Sequence, residues 1–322
     1  MTYMYTYILF LLCPLFVVGQ SLSKDVNSLF QQKEYIEAEQ LLSTHLKTHP
    51  KDYQAIELLG DAYGYQKKWD DAITTYYALV EYNDKNANYH YKYGGALGIK
   101  ALSVSRFRAL GMIGDIKAAF NTAAKLDATH IEVRWALVEL YMQLPGILGG
   151  SKKRSLQFAN ELESLSKVDG YLAKGYIYEY DNNPELAENY YKKAIETGGS
   201  LTCFEKLTNF YANENRPENA IANIESAQTK HKNQRNALHY QIGKVSAEYD
   251  IQLDKGLQCL NTYIKNHSAK DGVPIEWAYY RLAQIHKHQN NKNEALKWID
   301  EALSIRADFK QALEEKEIIS RL

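Results

Sequence analysis

Residues 171–197 read Y-L-A-K-G-Y-I-Y-E-Y-D-N-N-P-E-L-A-E-N-Y-Y-K-K-A-I-E-T. Two helical periods meet at a turn over Asp181–Pro184. Pro184 suits a first helical turn, where a missing N–H breaks no bond, and Asn183 before it suits a cap. On the first helix Gly175 and Tyr178 share a face. On the second, Ala187, Tyr191 and Ala194 share one, at i, i+4 and i+7. Small residues on both inner faces let the two backbones approach, and the aromatics fill the space beside them. Neither helix can bury its apolar stripe alone, so the pair requires neighbours.

The unit recurs on either side. Ile56, Leu59, Gly60 and Tyr63 with Ala72, Tyr76 and Leu79 repeat it upstream. Leu207 and Tyr211 with Ala220, Ile224 and Ala227 repeat it downstream, and Tyr279, Leu282 and Ala283 with Ala295, Ile299 and Ala302 near the end. Ala38 and Ala72 stand 34 residues apart, Ala187 and Ala220 33. This pattern resembles the tetratricopeptide repeat family: a small residue after a Leu in the first helix, a Tyr three residues on, and Ala-x-x-x-aromatic-x-x-Ala in the second. The resemblance implies an all-α fold, a right-handed α-solenoid of about eight antiparallel helix pairs with a C-terminal capping helix.

Read in order, the repeats fall at about 21–52, 53–86, 87–130, 131–167, 168–200, 201–234, 235–273 and 274–308, with a cap at 309–322. No Ser/Gly linker interrupts them, so one continuous array is expected. Three places break the regularity. About ten extra residues separate the helices of the third repeat, within Gly98–Gly114. The fourth is interrupted by Q-L-P-G-I-L-G-G-S at 143–151, and the seventh has an extended turn at Asp250–Lys255. The insert, with the longer repeat before it, is similar to a Pro-Gly-Ile-x-Gly-Gly-Ser-Lys element of exported bacterial tetratricopeptide proteins; that likeness bears on architecture and implies no activity.

Composition narrows the function classes. The 322 residues are 45% hydrophobic with a net charge of −1, so no global basic field argues for nucleic acid or an anionic membrane. Residues 1–23 carry no charged side chain, and Ile8–Val18 is an apolar run followed by small residues. This reads as a signal peptide over residues 1–20, too short to span a bilayer, although no Lys or Arg stands before the run. An exported protein, periplasmic, envelope-associated or secreted, with no integral membrane span after cleavage, is the expectation. Past the signal only Cys203 and Cys259 remain, in different repeats, and both read as free thiols.

Few residues suggest chemistry. Gly146–Lys152 invites comparison with a phosphate cradle, but Ser151 stands where a nucleotide loop needs its second Gly, and a helix precedes it instead of a strand. The plainer reading is a shaped turn. Pro145 ends a helix, Gly149 and Gly150 supply unusual dihedrals, and Ser151 caps the next helix; Gly149, Gly150, Ser151 and Lys152 stay candidates for a loop contact. His45 and His49 have metal-ligand spacing without a third ligand, so no metal and no cofactor are expected, and no catalytic arrangement is evident. In the resembled family the first helix of each pair lines an inner groove. Carried over, that register gives Glu57 and Asp61, Tyr91, Trp135 and Glu139, Tyr176 and Glu179, Glu205 and Asn209, Tyr240 and Lys244, and Trp277 and Tyr280. Aromatics interleaved with carboxylates suit a protein or peptide partner. The expectation is a non-catalytic exported scaffold. The alternatives are an assembly component acting through its ends or convex face, and an enzyme or anion-binding protein using the Gly-rich insert.

Overall fold

The computed structural model describes residues 14–232 and 235–322. The leader read at residues 1–20 lies outside the described side chains, and its first 13 residues outside the described backbone. Every regular element among the described residues is helical, as expected.

The chain forms two compact units, one up to Glu161 and one from Leu162 on. The first holds α1 (Pro14–Gln32), α2 (Tyr35–Thr48), α3 (Tyr53–Tyr65), α4 (Trp69–Tyr82), α5 (Ala87–Ser103), α6 (Arg106–Leu126), α7 (Ile131–Gln143) and most of α8 (Lys152–Leu165). The second holds α9 (Lys167–Tyr180), α10 (Pro184–Thr197), α11 (Leu201–Asn213), α12 (Pro217–Lys230), α13 (Ala237–Tyr249), α14 (Leu253–Lys265), α15 (Ile275–His288), α16 (Lys292–Ile305) and α17 (Lys310–Ser320). In chain order these are the eight helix pairs and the cap. The division falls inside α8, where the sequence gives no linker signal.

One contact recurs inside the pairs. A Cβ on Gly60 of α3 would sit 2.5 Å from the Tyr76 ring of α4, and a Cβ on Gly175 of α9 would sit 2.5 Å from the Tyr191 ring of α10. Gly94 of α5 meets Phe120 of α6 in the same way, and Gly243 of α13 meets Leu260 of α14. Each glycine removes a side chain so that a large residue of the second helix can lie against bare backbone. The turn inside the pair is also repeated. Lys33, Lys67, Asn182, Asn215 and Asn290 all have left-handed φ, between 54° and 63°. The following N–H bonds back to the carbonyl five residues before it, as in Asn183 N–H to the Tyr178 carbonyl at 2.8 Å and Lys68 N–H to that of Tyr63 at 2.9 Å. This closure satisfies the orphaned carbonyls of the first helix. Asn183 then caps α10 by accepting from the Leu186 N–H at 3.3 Å.

The irregular pairs differ from expectation in two respects. The extra residues of the third repeat do not form a loop: they lengthen both helices, so that α5 has 17 residues and α6 has 21. Only Val104 and Ser105 connect them. The seventh pair turns over three residues, Asp250–Gln252, and not six; Asp250 and Gln252 take left-handed φ of 54° and 47°.

The cap closes the last pair. Phe309, Ala312 and Ile319 are fully buried against Tyr280, Ala283 and Ile299. Farther back, Glu188 of α10 ties neighbouring helices together. It accepts from Arg216 at 2.6 Å, from the Tyr211 hydroxyl at 2.9 Å and from Lys192 at 2.7 Å. Burial opposes its charge, but these three donors win and hold its carboxyl at about 2 against the usual 4.5. The stabilisation is therefore complete above pH 4.5 and is lost as pH falls through 2. Glu188→Gln should cost roughly 1–2 kcal/mol at pH 7, allowing for solvent screening. It should also flatten the acid limb of the stability curve, read by urea unfolding at pH steps.

Candidate functional site

The residues carried over onto the first helices do not share one environment. In the first unit Glu57 and Asp61 are already used. Lys92 of α5 lies 2.8 Å from Glu57 and 2.7 Å from Asp61, the Tyr76 hydroxyl donates to Asp61 at 2.6 Å, and the Asn88 amide donates to Glu57 at 2.7 Å. Burial alone would lower the Lys92 pKa; the two carboxylates hold it raised. These acids therefore brace α3, α4 and α5, two carboxylates sharing one lysine. Tyr91 and Glu139 do come together, lining an apolar cleft of about 420 Å³ between α5, α6 and α7. Trp135 is half-buried on α7.

In the second unit Glu179 accepts from the Tyr191 hydroxyl at 2.7 Å and from the Asn213 amide at 2.9 Å, again a brace. Tyr176 is half-buried, with its ring 6.1 Å from that of Tyr180. Tyr240 and Tyr280 are only 5% and 8% exposed. Tyr240 packs on Tyr263, and Tyr280 on Phe309, each with ring centroids 5.4 Å apart. Burial raises the pKa of both phenols. Both pack as walls between helix pairs, and the edge of Tyr240 also lines a cleft described below.

Glu205, Asn209 and Lys244 behave differently. All three line a cleft of about 720 Å³ beside α11 and α13. Among the described residues their side chains make no hydrogen bond or ion pair within the chain. Arg235, Gln241 and Lys270 line the same cleft. Arg235 and Lys270 were not legible in the sequence because Arg235 precedes α13 and Lys270 sits on a short turn, Ala269–Asp271, outside the repeat register. Asp271 orders that turn: its carboxylate accepts from the Ser268 N–H at 2.8 Å and from the Asn236 amide at 3.1 Å. A second cleft of about 400 Å³ shares Gln241 and Lys244 and runs on past Tyr240 to Trp277 and Arg281. Trp277 stands edge-on to Phe309 at 4.5 Å, which fixes its ring. Arg281 is held by Glu248 at 2.6 Å. The two adjoining clefts thus present carboxylates, amides, cations and an indole along one strip. A strip of that kind suits an extended chain, whose backbone needs donors and acceptors and whose side chains need separate subsites.

The central insert is a joint. Gly146–Leu148 forms one 3-10 turn, closed by Gly149 N–H to the Gly146 carbonyl at 2.9 Å and Gly150 N–H to that of Pro145 at 3.1 Å. Only Gly149 has an unusual dihedral, φ 87°. Gly150 is required for a different reason, since a Cβ there would collide with the Leu144 carbonyl. Ser151 accepts from the Arg154 N–H at 3.3 Å, capping α8. His45 and His49 stack on one another at 4.4 Å, and His45 bonds Asp52 at 2.7 Å. No group of three or more metal-ligating side chains occurs among the described residues. Nor is any described helix long and apolar enough to cross a membrane.

Comparison with known proteins agrees with this architecture. The family model described as tetratricopeptide repeat matches residues 168–197 and 278–314. No curated protein matches the chain. Among solved structures, a tetratricopeptide repeat protein from Parabacteroides merdae is similar at 15% identity and a TM-score of 0.51, covering 94% of this chain and 98% of that one. YrrB, described as a TPR protein with an unusual peptide-binding site, is 19% identical with a TM-score of 0.41, covering 62% of this chain and 98% of its own. A thermophilic TPR protein of Thermus thermophilus is 14% identical with a TM-score of 0.41, covering 76% of this chain and 97% of its own. The chain therefore carries tetratricopeptide repeats, and its helix pairs adopt the fold of that repeat.

Proposed function

We propose that the protein is a non-catalytic scaffold that binds an extended segment of a protein partner in the two adjoining clefts of its second unit. One observation carries the reading. Of the residues expected to face a partner, Glu57, Asp61 and Glu179 are satisfied within the chain, whereas Glu205, Asn209 and Lys244 are left unpaired along one cleft. Unpaired polar groups in a concave site gain most from a ligand that supplies their partners. Arg235, Lys244 and Lys270 outnumber Glu205 and Asp271 by one on the first cleft, so a segment with acidic side chains is favoured. The indole of Trp277 gives an apolar anchor farther along. The protein acts outside the cytoplasm on this reading, which rests on the uncharged apolar stretch at its start. The mass of the chain recovered from the cell envelope reports whether that stretch is removed.

The binding test is selection of random displayed peptides on the purified protein. Enriched sequences should be acidic and should lose at least about tenfold in affinity with Lys244→Glu or Asn209→Ala. Enrichment that both substitutions leave unchanged would reject the clefts as the site.

A further inference from the structure

The lengthened α5–α6 pair has a feature that peptide binding does not use. Gly60 and Gly94 occupy the same place in their pairs, each against an aromatic ring of the second helix. Counted from those glycines, α3 ends five residues later at Tyr65, while α5 continues nine residues to Ser103. On the second helix, α4 begins three residues before Ala72, which meets the first helix; α6 begins ten before Ile116, its counterpart. All the added residues lie at the joined end, so the pair reaches beyond its neighbours there as a helical tip.

That tip has a distinctive surface. Leu102 is 81% exposed and Phe107 86%, with Leu110 exposed beside them. From Gly98 to Gly114 there are three cationic side chains, Lys100, Arg106 and Arg108, and no Asp or Glu. Lys100 pairs with Asp70. Arg106 and Arg108 are exposed and have no acidic partner among the described residues. Ser105 precedes α6 without its side chain capping the helix, so the first N–H groups of α6 also point outward from the tip. The apolar side continues from Ile99 and Leu102 into the cleft between α5, α6 and α7. Gly95 and Gly98 line that cleft, and a Cβ on either would meet nothing. Glycine inside a helix costs stability, and packing within the chain does not require it at these two places.

We propose that the α5–α6 tip is a peripheral membrane anchor that seats the protein on an anionic lipid surface. Leu102, Phe107 and Leu110 enter the acyl boundary, and Arg106 and Arg108 lie at the level of the headgroup phosphates. Charge complementarity selects this occupant: protruding apolar side chains flanked by the unpaired Arg106 and Arg108 match an interface that is apolar below and anionic above. The described helices are not built to cross a bilayer, so the contact is a seat and not a span. The cleft floored by Gly95 and Gly98 gives room for the end of one acyl chain.

Co-sedimentation with vesicles tests this, using the protein as isolated from the cell envelope. Vesicles of phosphatidylcholine alone are compared with vesicles holding about 30% phosphatidylglycerol, so that any contribution of other segments is common to every variant. The wild type should bind the anionic vesicles and bind the neutral ones far more weakly. Each basic residue near an anionic surface contributes about fivefold, so R106E/R108E should lower the partition coefficient at least about 25-fold. L102S/F107S should lower it about tenfold or more on the same vesicles. All four side chains are exposed, so circular dichroism and melting should match the wild type. The proposal is overturned if the wild type fails to bind anionic vesicles, if neutral vesicles bind as well, or if these substitutions leave vesicle binding unchanged. It is also overturned if they abolish binding of an acidic amphipathic peptide while vesicle binding persists, which would assign the tip to a protein partner.

Discussion

Gly175→Leu is expected to destabilise the second unit by about 1–3 kcal/mol, with a fall of several degrees in the melting temperature. A Cβ at Gly175 would lie 2.5 Å from two atoms of the Tyr191 ring, and a leucine adds three more carbons. The ring cannot simply move aside. Tyr191 is 2% exposed, its hydroxyl is held by Glu179 at 2.7 Å, and Phe210 stands 5.8 Å away. Burial, and then the Glu179 carboxylate, raise the pKa of this phenol. Tyr191→Ala alone should cost about 3–5 kcal/mol by opening a cavity. The double variant should cost less than the sum, because the leucine enters the space the ring has left. An unchanged melting temperature for Gly175→Leu, or strict additivity in the double variant, would mean that these two positions do not face one another.

Gly150→Ala should be the most damaging single change in the central insert, at about 2 kcal/mol or more. A Cβ there would fall inside the contact radius of the Leu144 carbonyl oxygen and 2.7 Å from its carbon. Both are backbone atoms in a turn already closed by four bonds: Leu148 N–H to the Pro145 carbonyl at 2.9 Å, Gly149 N–H to that of Gly146 at 2.9 Å, Gly150 N–H to that of Pro145 at 3.1 Å, and Ser151 N–H to that of Tyr141 at 2.8 Å. Gly149→Ala makes the contrast. Its φ of 87° is unfavourable for alanine, but its Cβ would meet only the flexible end of Lys117. It should cost about 1–2 kcal/mol. Urea unfolding of the two variants checks the order, and a larger loss at Gly149 would contradict the geometry.

These two glycines show what the sequence could and could not reveal. Gly175 was legible, since its spacing from Tyr178 and the Ala187–Tyr191–Ala194 stripe defines one face on each helix. Gly150 was legible only as part of a turn; the reason glycine is needed there is a carbonyl six residues earlier, brought back by the turn itself. The α5–α6 extension was hidden by Gly98, Gly111 and Gly114, which read as loop chemistry. A Cβ at any of them meets nothing, so they interrupt no packing, and the Ala, Leu and Ile between them carry the helices through.

The candidate site was legible in register and not in state. Position along the repeat marked Glu57, Asp61, Glu205 and Asn209 alike. What separates them is a lysine 31 residues beyond Asp61, and nothing in the local pattern of Glu57 or Asp61 announces it. Tyr240 and Tyr280 were marked by the same register, yet Tyr263 and the cap residue Phe309 bury them from other helices. Arg235 and Lys270 lie outside the repeat period and so escaped a reading built on periodicity.

On the proposed function, a partner chain lies in the adjoining clefts of the second unit. Photo-crosslinking a selected acidic peptide, followed by mass spectrometry of the joined fragments, tests this most directly. Crosslinks should fall on α11, on α13 and near Lys270, with Trp277 reached from one end of the peptide. Crosslinks confined to α10, α14 or the α5–α6 tip, with none in the clefts, would contradict it.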